Sequence, residues 1–215
     1  KVYHLFAVRP DTGNAEIGEF LPEWAWEIAD HSSLAITLHM VRAKALSDTG
    51  NQKYIQEHCL RYPNTKLILA HAARGFCADH TVESISTLAG LDNVFFDTSA
   101  ITEPGAFMAI IKQFGTRRLL YGSDYPISNM RARATSVGDG FFWLDGEDPR
   151  WKNWMMGELA LAGIESLLAL KQAARLLDLT DADLECIFGH NARQLFGVGP
   201  ASDGAHGQQA YHQAK

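Results

Sequence analysis

Histidine and aspartate side chains recur at matching places along the chain. His39 and His71 each follow a short run of apolar residues, and Asp124 follows a similar run that ends in Gly122 and Ser123. Imidazole nitrogens and carboxylates are the groups with which proteins bind divalent ions such as zinc. The same groups accept a proton from water that such an ion activates. The pattern therefore predicts a metal site with proton-transfer groups beside it.

One histidine at the end of a strand more often makes a structural hydrogen bond than a metal bond. Its recurrence at equivalent positions, together with an aspartate, favours the metal site. His4 and Asp97 occupy comparable positions. The β-type run before His4 begins at the first residues of the chain, so its direction is uncertain. Asp97 stands beside Thr98 and Ser99, and an aspartate in such a place commonly accepts hydrogen bonds at the start of a loop or helix. The roles of His4 and Asp97 stay open.

Two arginines are candidates for substrate binding. Arg42 and Arg74 each stand three residues after a candidate histidine. A guanidinium at such a place binds a substrate carboxylate through two hydrogen bonds, although an ordinary ion pair is an equal alternative. Trp143 lies further along the chain, where it could cover the site or simply pack on the core.

Five β-type runs must position these residues. They are near-continuous apolar stretches, which is typical of strands buried on both faces of a parallel sheet. The runs cover residues 2–8, 34–41, 66–73, 93–100 and 118–126, and helical patterns lie between them at 22–29, 52–62, 79–89 and 104–114. The alternation predicts an α/β fold of strand–helix units with right-handed crossovers, whose strands end at one common rim.

The pattern changes after Asp124. Residues 127–152 are predicted to form a long irregular loop, and residues 157–177 a long amphipathic helix. Thr180 has capping-box spacing for a second helix, which we expect to break at Gly189 before a short helical turn at 191–196. We expect one domain over residues 1–197 and a disordered tail over 198–215.

Composition excludes several classes of protein. The formal net charge is −6, so a nucleic-acid partner, which selects for basic surfaces, is not expected. No apolar stretch is long enough for a membrane span. The three cysteines are widely spaced, which argues against a disulfide framework and predicts a cytoplasmic protein. The sequence also lacks a phosphate-binding loop and a G-x-S-x-G nucleophile motif.

Several segments together resemble one known family. They are Leu-His-Met-Val-Arg at 38–42, Leu-Ile-Leu-Ala-His-Ala-Ala-Arg-Gly-Phe at 67–76, Phe-Phe-Asp-Thr-Ser-Ala at 95–100, Leu-Tyr-Gly-Ser-Asp-Tyr-Pro at 120–126 and Asn-Ala-Arg-Gln-Leu-Phe at 191–196. This series resembles the amidohydrolase-related metal-dependent hydrolases, in the superfamily branch that includes aminocarboxymuconate-semialdehyde decarboxylase. The resemblance implies a (β/α)8 TIM-barrel, of which this chain supplies strands 4 to 8 and the C-terminal helices.

The resemblance also implies roles for the candidate residues. His39 matches a metal ligand on the fifth strand, and Asp124 matches an eighth-strand metal ligand that also shuttles a proton. His71 matches the sixth-strand histidine that helps to activate water. Arg42 and Arg74 would hold a substrate carboxylate. The implied cofactor is a divalent ion, Zn²⁺ before Mn²⁺, and the implied partner is a small-molecule substrate, with a homodimer left open.

One departure from the family pattern is large. The family's first strand carries a His-x-His pair of ligands, and the 215 residues contain none. Five strand–helix units also fall short of the eight units and ~250 residues of a whole barrel. We therefore expect an N-terminally incomplete chain that holds about half of the metal shell.

The expected function is hydrolysis of a small carboxylate-bearing amide, ester or lactone by metal-activated water. The alternatives are a non-oxidative decarboxylase of the same fold and a catalytically inactive fragment or binding module. An open doubly wound sheet that binds a small ligand is a further alternative, which the missing glycine-rich loop disfavours.

Overall fold

The computed structural model describes residues 1–149 and 157–199 of the chain. A parallel four-stranded sheet forms its centre, with the strands side by side in chain order. The strands are β1 (Ala35–Leu38), β2 (Lys66–Leu69), β3 (Val94–Asp97) and β4 (Leu119–Leu120). Leu38 pairs with Leu69, and Asp97 pairs with Leu120, so the carboxyl ends of the strands lie along one rim.

The strands form where the sequence offers side chains that can be buried on both faces. Leu67 and Leu69 are buried on one face of β2, and Ile68 is buried on the other. The observed strands are shorter than the predicted runs, because the chain leaves the sheet before it reaches His39, His71 and Asp124. The run at 2–8 was predicted as a strand, and that prediction is wrong for most of its length. Only Val2 bridges to Leu38, and a 3-10 turn at His4–Phe6 follows.

Helices pack around the sheet, both before β1 and between successive strands. They are α1 (Ile17–Phe20), α2 (Glu23–His31), α3 (Thr49–Arg61), α4 (Ala78–Ser84) and α5 (Gly105–Phe114), with 3-10 turns at Thr12–Asn14, Ala45–Ser47, Ile85–Leu88, Thr116–Arg118 and Ile127–Asn129. Asp48 caps α3 by accepting a hydrogen bond from the Asn51 N–H. Trp26 and Phe107, both fully buried, pack the helices onto the core.

The predicted loop at 127–152 contains a β-hairpin instead. Strands β5 (Ala132–Val137) and β6 (Gly140–Asp145) pair antiparallel around the two residues Gly138 and Asp139. Gly138 has a φ of 57°, as a two-residue hairpin turn requires. Ala132 and Ala134 are the buried positions of β5. Because alanine is small, these positions do not show the alternating apolar pattern that is typical of a strand. Residues 150–152 of the predicted loop lie outside the described ranges.

The C-terminal helices follow the predictions except at Gly189 and at the start of the first helix, which begins at Ala162 and not at the predicted residue 157. They are α6 (Ala162–Leu176), α7 (Asp181–Glu185) and α8 (Asn191–Phe196). Thr180 and Asp183 form the predicted capping box at the start of α7. Gly189 does not break the helix, because a π-helical turn at Cys186–His190 joins α7 to α8.

This C-terminal segment also packs beside β4. The Tyr121 N–H donates to the Ile187 carbonyl, and the Asn191 amide donates to the Leu119 carbonyl. Of the predicted tail, residues 200–215 lie outside the described residues. Within the described ranges, no helix combines the length and apolar character that crossing a membrane demands.

Candidate active site

A cavity of about 450 Å³ opens at the carboxyl ends of the strands. It brings together His39, His71 and Asp124, three residues that lie far apart in the sequence. Its other lining residues are Lys1, Tyr3, His4, Arg74, Phe76, Ile127, Met130, Ala132, Phe141, Trp143 and Asp145. The cavity is therefore the place where the predicted metal ligands and proton-transfer groups meet.

His39 follows directly after β1 and is almost entirely buried. Its Nδ1 is inaccessible to solvent and has no hydrogen-bond partner. The ring centroids of His39 and His71 are 4.9 Å apart, and the rings meet edge to face. Burial, and then the neighbouring His71 and Arg74, lower the pKa of His39 to about 3. His39 is therefore a neutral imidazole at physiological pH, the form that binds a metal ion.

His71 lies in a left-handed helical turn that follows β2. The φ angles of His71, Ala72 and Ala73 are 57°, 49° and 62°, and Arg74 follows at 57°. Left-handed helical backbone costs L-residues about 1–2 kcal/mol each, so the surroundings must hold this turn in place. The Thr81 hydroxyl donates to the Ala72 carbonyl (3.2 Å). The turn brings both His71 and Arg74 to the cavity.

The His71 ring is held by the loop after β3. Its Nδ1 lies 3.0 Å from the Ser99 carbonyl oxygen and 3.0 Å from Ser99 Oγ. Among the described residues, no group bonds His71 Nε2. The sequence left the role of Asp97 open and assigned no role to Ser99. The only available signal was the polar run Asp-Thr-Ser at the end of the fourth β-type run.

Asp124 lies shortly after β4, with a φ of 55°. Its carboxylate is 18% exposed and lies 3.4 Å from the Lys1 ammonium. At Gly122, an added Cβ would stand 3.5 Å from the Cβ atoms of Asp97 and Ser99, so the chain passes close to the residues around His71. The predicted carboxylate thus faces the same cavity as the two imidazoles.

The two candidate arginines lie in different places. Arg74 lines the cavity, and its guanidinium carbon lies 5.5 Å from the centre of the Phe141 ring. Burial lowers the pKa of Arg74 below its usual value. Arg42 instead forms ion pairs with Asp48 (2.9 Å) and Glu16 (3.3 Å), and it is not part of the cavity lining.

Of the two candidate arginines, Arg74 therefore lies at the cavity and Arg42 does not. The ion pairs of Arg42 keep its guanidinium outside the cavity. Its backbone carbonyl accepts a hydrogen bond from Arg74 (2.8 Å) and so helps to orient that side chain. Sequence spacing placed both arginines three residues after a histidine, but only the turn after His71 leads its arginine to the cavity.

The hairpin supplies an aromatic wall to the cavity. The ring of Phe76 lies 4.9 Å from Phe141 and 5.4 Å from Trp143, measured between ring centres. Trp143 therefore lines the site. At the hairpin tip, Asp139 forms an ion pair with Lys44 (3.2 Å) and a hydrogen bond with the His80 ring (3.1 Å). These contacts attach the hairpin tip to the segment after β1 and to α4.

The donor types at the cavity fit a divalent ion, but they supply only part of a shell. Two imidazoles and a carboxylate are suitable ligands for zinc, and Nδ1 of His39 has no hydrogen-bond partner in the protein. Within the part of the chain that the structure describes, no three His, Cys, Asp or Glu side chains are grouped closely enough to hold an ion. Further ligands are needed to complete the site.

A family comparison decides the class of this protein. A model of the amidohydrolase family matches residues 18–198, which is most of the chain. The chain belongs to the amidohydrolase family. No protein of curated function gives a significant match to this amidohydrolase.

Solved structures show the same fold. An amidohydrolase from Burkholderia multivorans with bound HEPES has a TM-score of 0.56 and 14% identity, over 92% of this chain and 64% of its own. A second crystal form of that amidohydrolase, with bound zinc, has a TM-score of 0.56 and 14% identity. The match covers 92% of this chain and 63% of that one. This confirms the α/β fold of the (β/α)8-barrel type, of which the present amidohydrolase forms a part.

A more distant likeness is to 5-carboxyvanillate decarboxylase from Sphingomonas paucimobilis. Its TM-score is 0.44 and its identity 14%, over 82% of this chain and 53% of its own. That likeness is too remote to bear on the reaction. The present amidohydrolase spans less than two thirds of the length of each of these three structures.

Proposed function

We propose that this chain is part of a metal-dependent hydrolase. The enzyme would act on a small carboxylate-bearing amide, ester or lactone. The observation that carries the proposal is the unpartnered Nδ1 of His39 in a cavity shared with His71, Asp124 and Arg74. A buried polar atom without a partner costs about 1–3 kcal/mol. Binding of a metal ion to His39 would remove that cost, which supports a ligand role for this residue.

His39 and Asp124 would hold the ion, with Zn²⁺ favoured by nitrogen and oxygen donors and Mn²⁺ as the alternative. The bound zinc of the Burkholderia multivorans amidohydrolase supports this choice. When bound, such an ion polarises a substrate carbonyl and lowers the pKa of water to about 7.

The protein's own residues supply binding and proton transfer. Arg74 binds the substrate carboxylate, and its burial strengthens that ion pair. The aromatic wall of Phe76, Phe141 and Trp143 packs against the body of the substrate and excludes water. His71 accepts the proton of the attacking water at Nε2, because Nδ1 is occupied by Ser99. Asp124 passes a proton to the leaving group.

Two alternatives have observations in their favour. A planar carboxylate held by Arg74 against the aromatic wall could also lose CO₂, which makes decarboxylation the second candidate. Binding without turnover is the third, because the described residues alone do not assemble three metal ligands. In that case the cavity would bind a small carboxylate and release it unchanged.

Metal content and turnover together test the proposal. The natural protein is dialysed against a chelator, reloaded with Zn²⁺ or Mn²⁺ and assayed against carboxylate-bearing lactones, esters and amides. Acid release reports hydrolysis, and CO₂ release reports decarboxylation. We expect His39→Ala and Asp124→Ala to lose metal and turnover, with the exposed His190→Ala as a control that keeps both. Retention of metal and turnover in the first two variants would refute the site.

We also propose a reducing, cytoplasmic setting for the enzyme. In the described ranges Cys59, Cys77 and Cys186 are free, which fits such a compartment. A homodimer is a further proposal, and the mass measured by light scattering decides between a monomer and a dimer.

A further inference from the structure

Asp97, the last residue of β3, holds two segments of the active site at once. One oxygen of its carboxylate, Oδ1, accepts a hydrogen bond from the His71 N–H (2.8 Å). The same oxygen accepts from the Ser99 N–H (3.1 Å) and from the Ser99 hydroxyl (2.6 Å). Asp97 therefore anchors both the left-handed turn that carries His71 and the loop that carries Ser99.

These bonds determine where the proton of the His71 ring lies. Nδ1 of His71 faces two oxygens of Ser99, the carbonyl and the hydroxyl, each at 3.0 Å. A carbonyl oxygen can only accept a hydrogen bond. The Ser99 hydroxyl has one proton, and its short bond to Asp97 uses that proton. Both oxygens of Ser99 therefore accept from Nδ1, so Nδ1 carries the proton and Nε2 keeps its lone pair.

We propose that Asp97 is a positioning residue that sets the tautomer of His71 by directing the hydroxyl of Ser99. Asp97 does not line the cavity, so it acts on the reaction only through His71. Only one part of this inference rests on the proposed function, namely that His71 uses the lone pair of Nε2 to accept a proton from water. The tautomer itself can be measured without substrate.

Removal of the Asp97 carboxylate should free the Ser99 hydroxyl. The hydroxyl could then donate to His71 Nδ1, which would move the ring proton to Nε2. A histidine protonated at Nε2 cannot accept a proton from water at that atom. An ordinary hydrogen bond changes an equilibrium by about fivefold, so the ratio of the two tautomers should shift by at least that factor.

Nitrogen NMR of histidine labelled with ¹⁵N in the ring measures this ratio directly. The signals of His71 are assigned by their loss in His71→Gln. We expect the wild-type ring to be protonated at Nδ1 and Asp97→Ala to shift the ratio toward Nε2. The double variant Asp97→Ala with Ser99→Ala should restore the Nδ1 proton, because the remaining neighbour of Nδ1 is the backbone carbonyl.

Two further variants serve as controls. Asp30 also accepts hydrogen bonds from a backbone N–H and a side chain, those of Asn64, but it lies at the surface away from the cavity. Asp30→Ala should therefore leave the tautomer ratio of His71 unchanged. Asp97→Asn keeps an acceptor oxygen and should keep the Nδ1 proton, which provides a folded variant if Asp97→Ala does not fold.

The tautomer ratios of these variants distinguish a correct proposal from a wrong one. An unchanged ratio in Asp97→Ala, or loss of the Nδ1 proton in Asp97→Asn, would overturn the proposal. A double variant that stays shifted would also overturn it, because Asp97 would then act on the loop and not through the hydroxyl. In a turnover assay, Asp97→Ala should lower kcat with little change in KM. If no substrate is found, the NMR result still stands, so failure of the proposed function is distinguishable from failure of this inference.

Discussion

The left-handed turn after β2 predicts an unusual result for alanine-to-glycine substitution. Ala72 and Ala73 are fully buried and have φ angles of 49° and 62°. Glycine adopts such angles without steric cost, whereas alanine does not. Glycine should therefore relieve strain in this turn while it removes a buried methyl group.

The opposing effects are of similar size. Replacing either alanine by glycine should regain about 1–2 kcal/mol of left-handed backbone cost. Loss of the buried methyl group should cost about 0.8 kcal/mol. The greater freedom of glycine in the unfolded chain should cost roughly 0.5–1 kcal/mol. The free energy of unfolding should thus stay within about 1 kcal/mol of wild type.

Ala173 provides the matched control. It is equally buried but lies within α6, where the backbone is right-handed. Ala173→Gly loses the same methyl group and also about 1 kcal/mol of helix propensity, so it should destabilise by roughly 2 kcal/mol. Urea unfolding followed by circular dichroism measures all three variants. If Ala72→Gly or Ala73→Gly is as destabilising as Ala173→Gly, the turn is not strained.

Three other predictions concern the helices and the hairpin. At Gly105 an added Cβ would lie 2.8 Å from the Cβ of Ala78, so Gly105→Ala should push α4 and α5 apart and destabilise by about 1–3 kcal/mol, measured by the same unfolding. Hydrogen bonds from Tyr62 and then Arg61 lower the pKa of Glu23 to about 2, so its stabilising effect is present above pH 4.5 and lost as the pH falls toward 2. Glu23→Gln should therefore show a shallower fall in melting temperature over that range, and an equal slope would contradict the assignment. Asp139→Ala should speed hydrogen exchange in β5 and β6 while exchange in β2 is unchanged, and no change at the hairpin would show that its tip contacts do not hold it.

Much of the fold could be predicted from local pattern. The helices over 49–61 and 105–114 begin and end close to the predicted limits, because apolar periodicity and residues such as Asp48 and Gly115 act within one turn. The capping box at Thr180 was also predicted, since it depends on side chains three residues apart. The candidate residues at the strand ends share a cavity because parallel strands end at one rim.

Other features depend on contacts that local pattern does not contain. The first run has the composition of a strand, but its chain turns into a 3-10 segment after one bridge to β1. The hairpin was missed because its buried positions are alanines, which carry a weak strand signal. The position of the Arg42 guanidinium outside the cavity depends on its ion pairs with Glu16 and Asp48, which form only in the folded chain.

By itself, the sequence determined the alternation of strands and helices and the residue types available at the rim. It could do so because strand and helix periodicity and the apolar character of buried runs are local properties. The tertiary structure alone decided which nitrogen of His71 is bonded to Ser99, and it gave Arg74 but not Arg42 a place in the lining. These outcomes depend on the Asp97 carboxylate and on a left-handed turn. His71 bonds to Asp97 and to Ser99, which lie 26 and 28 residues further along the chain, and no local pattern specifies such contacts.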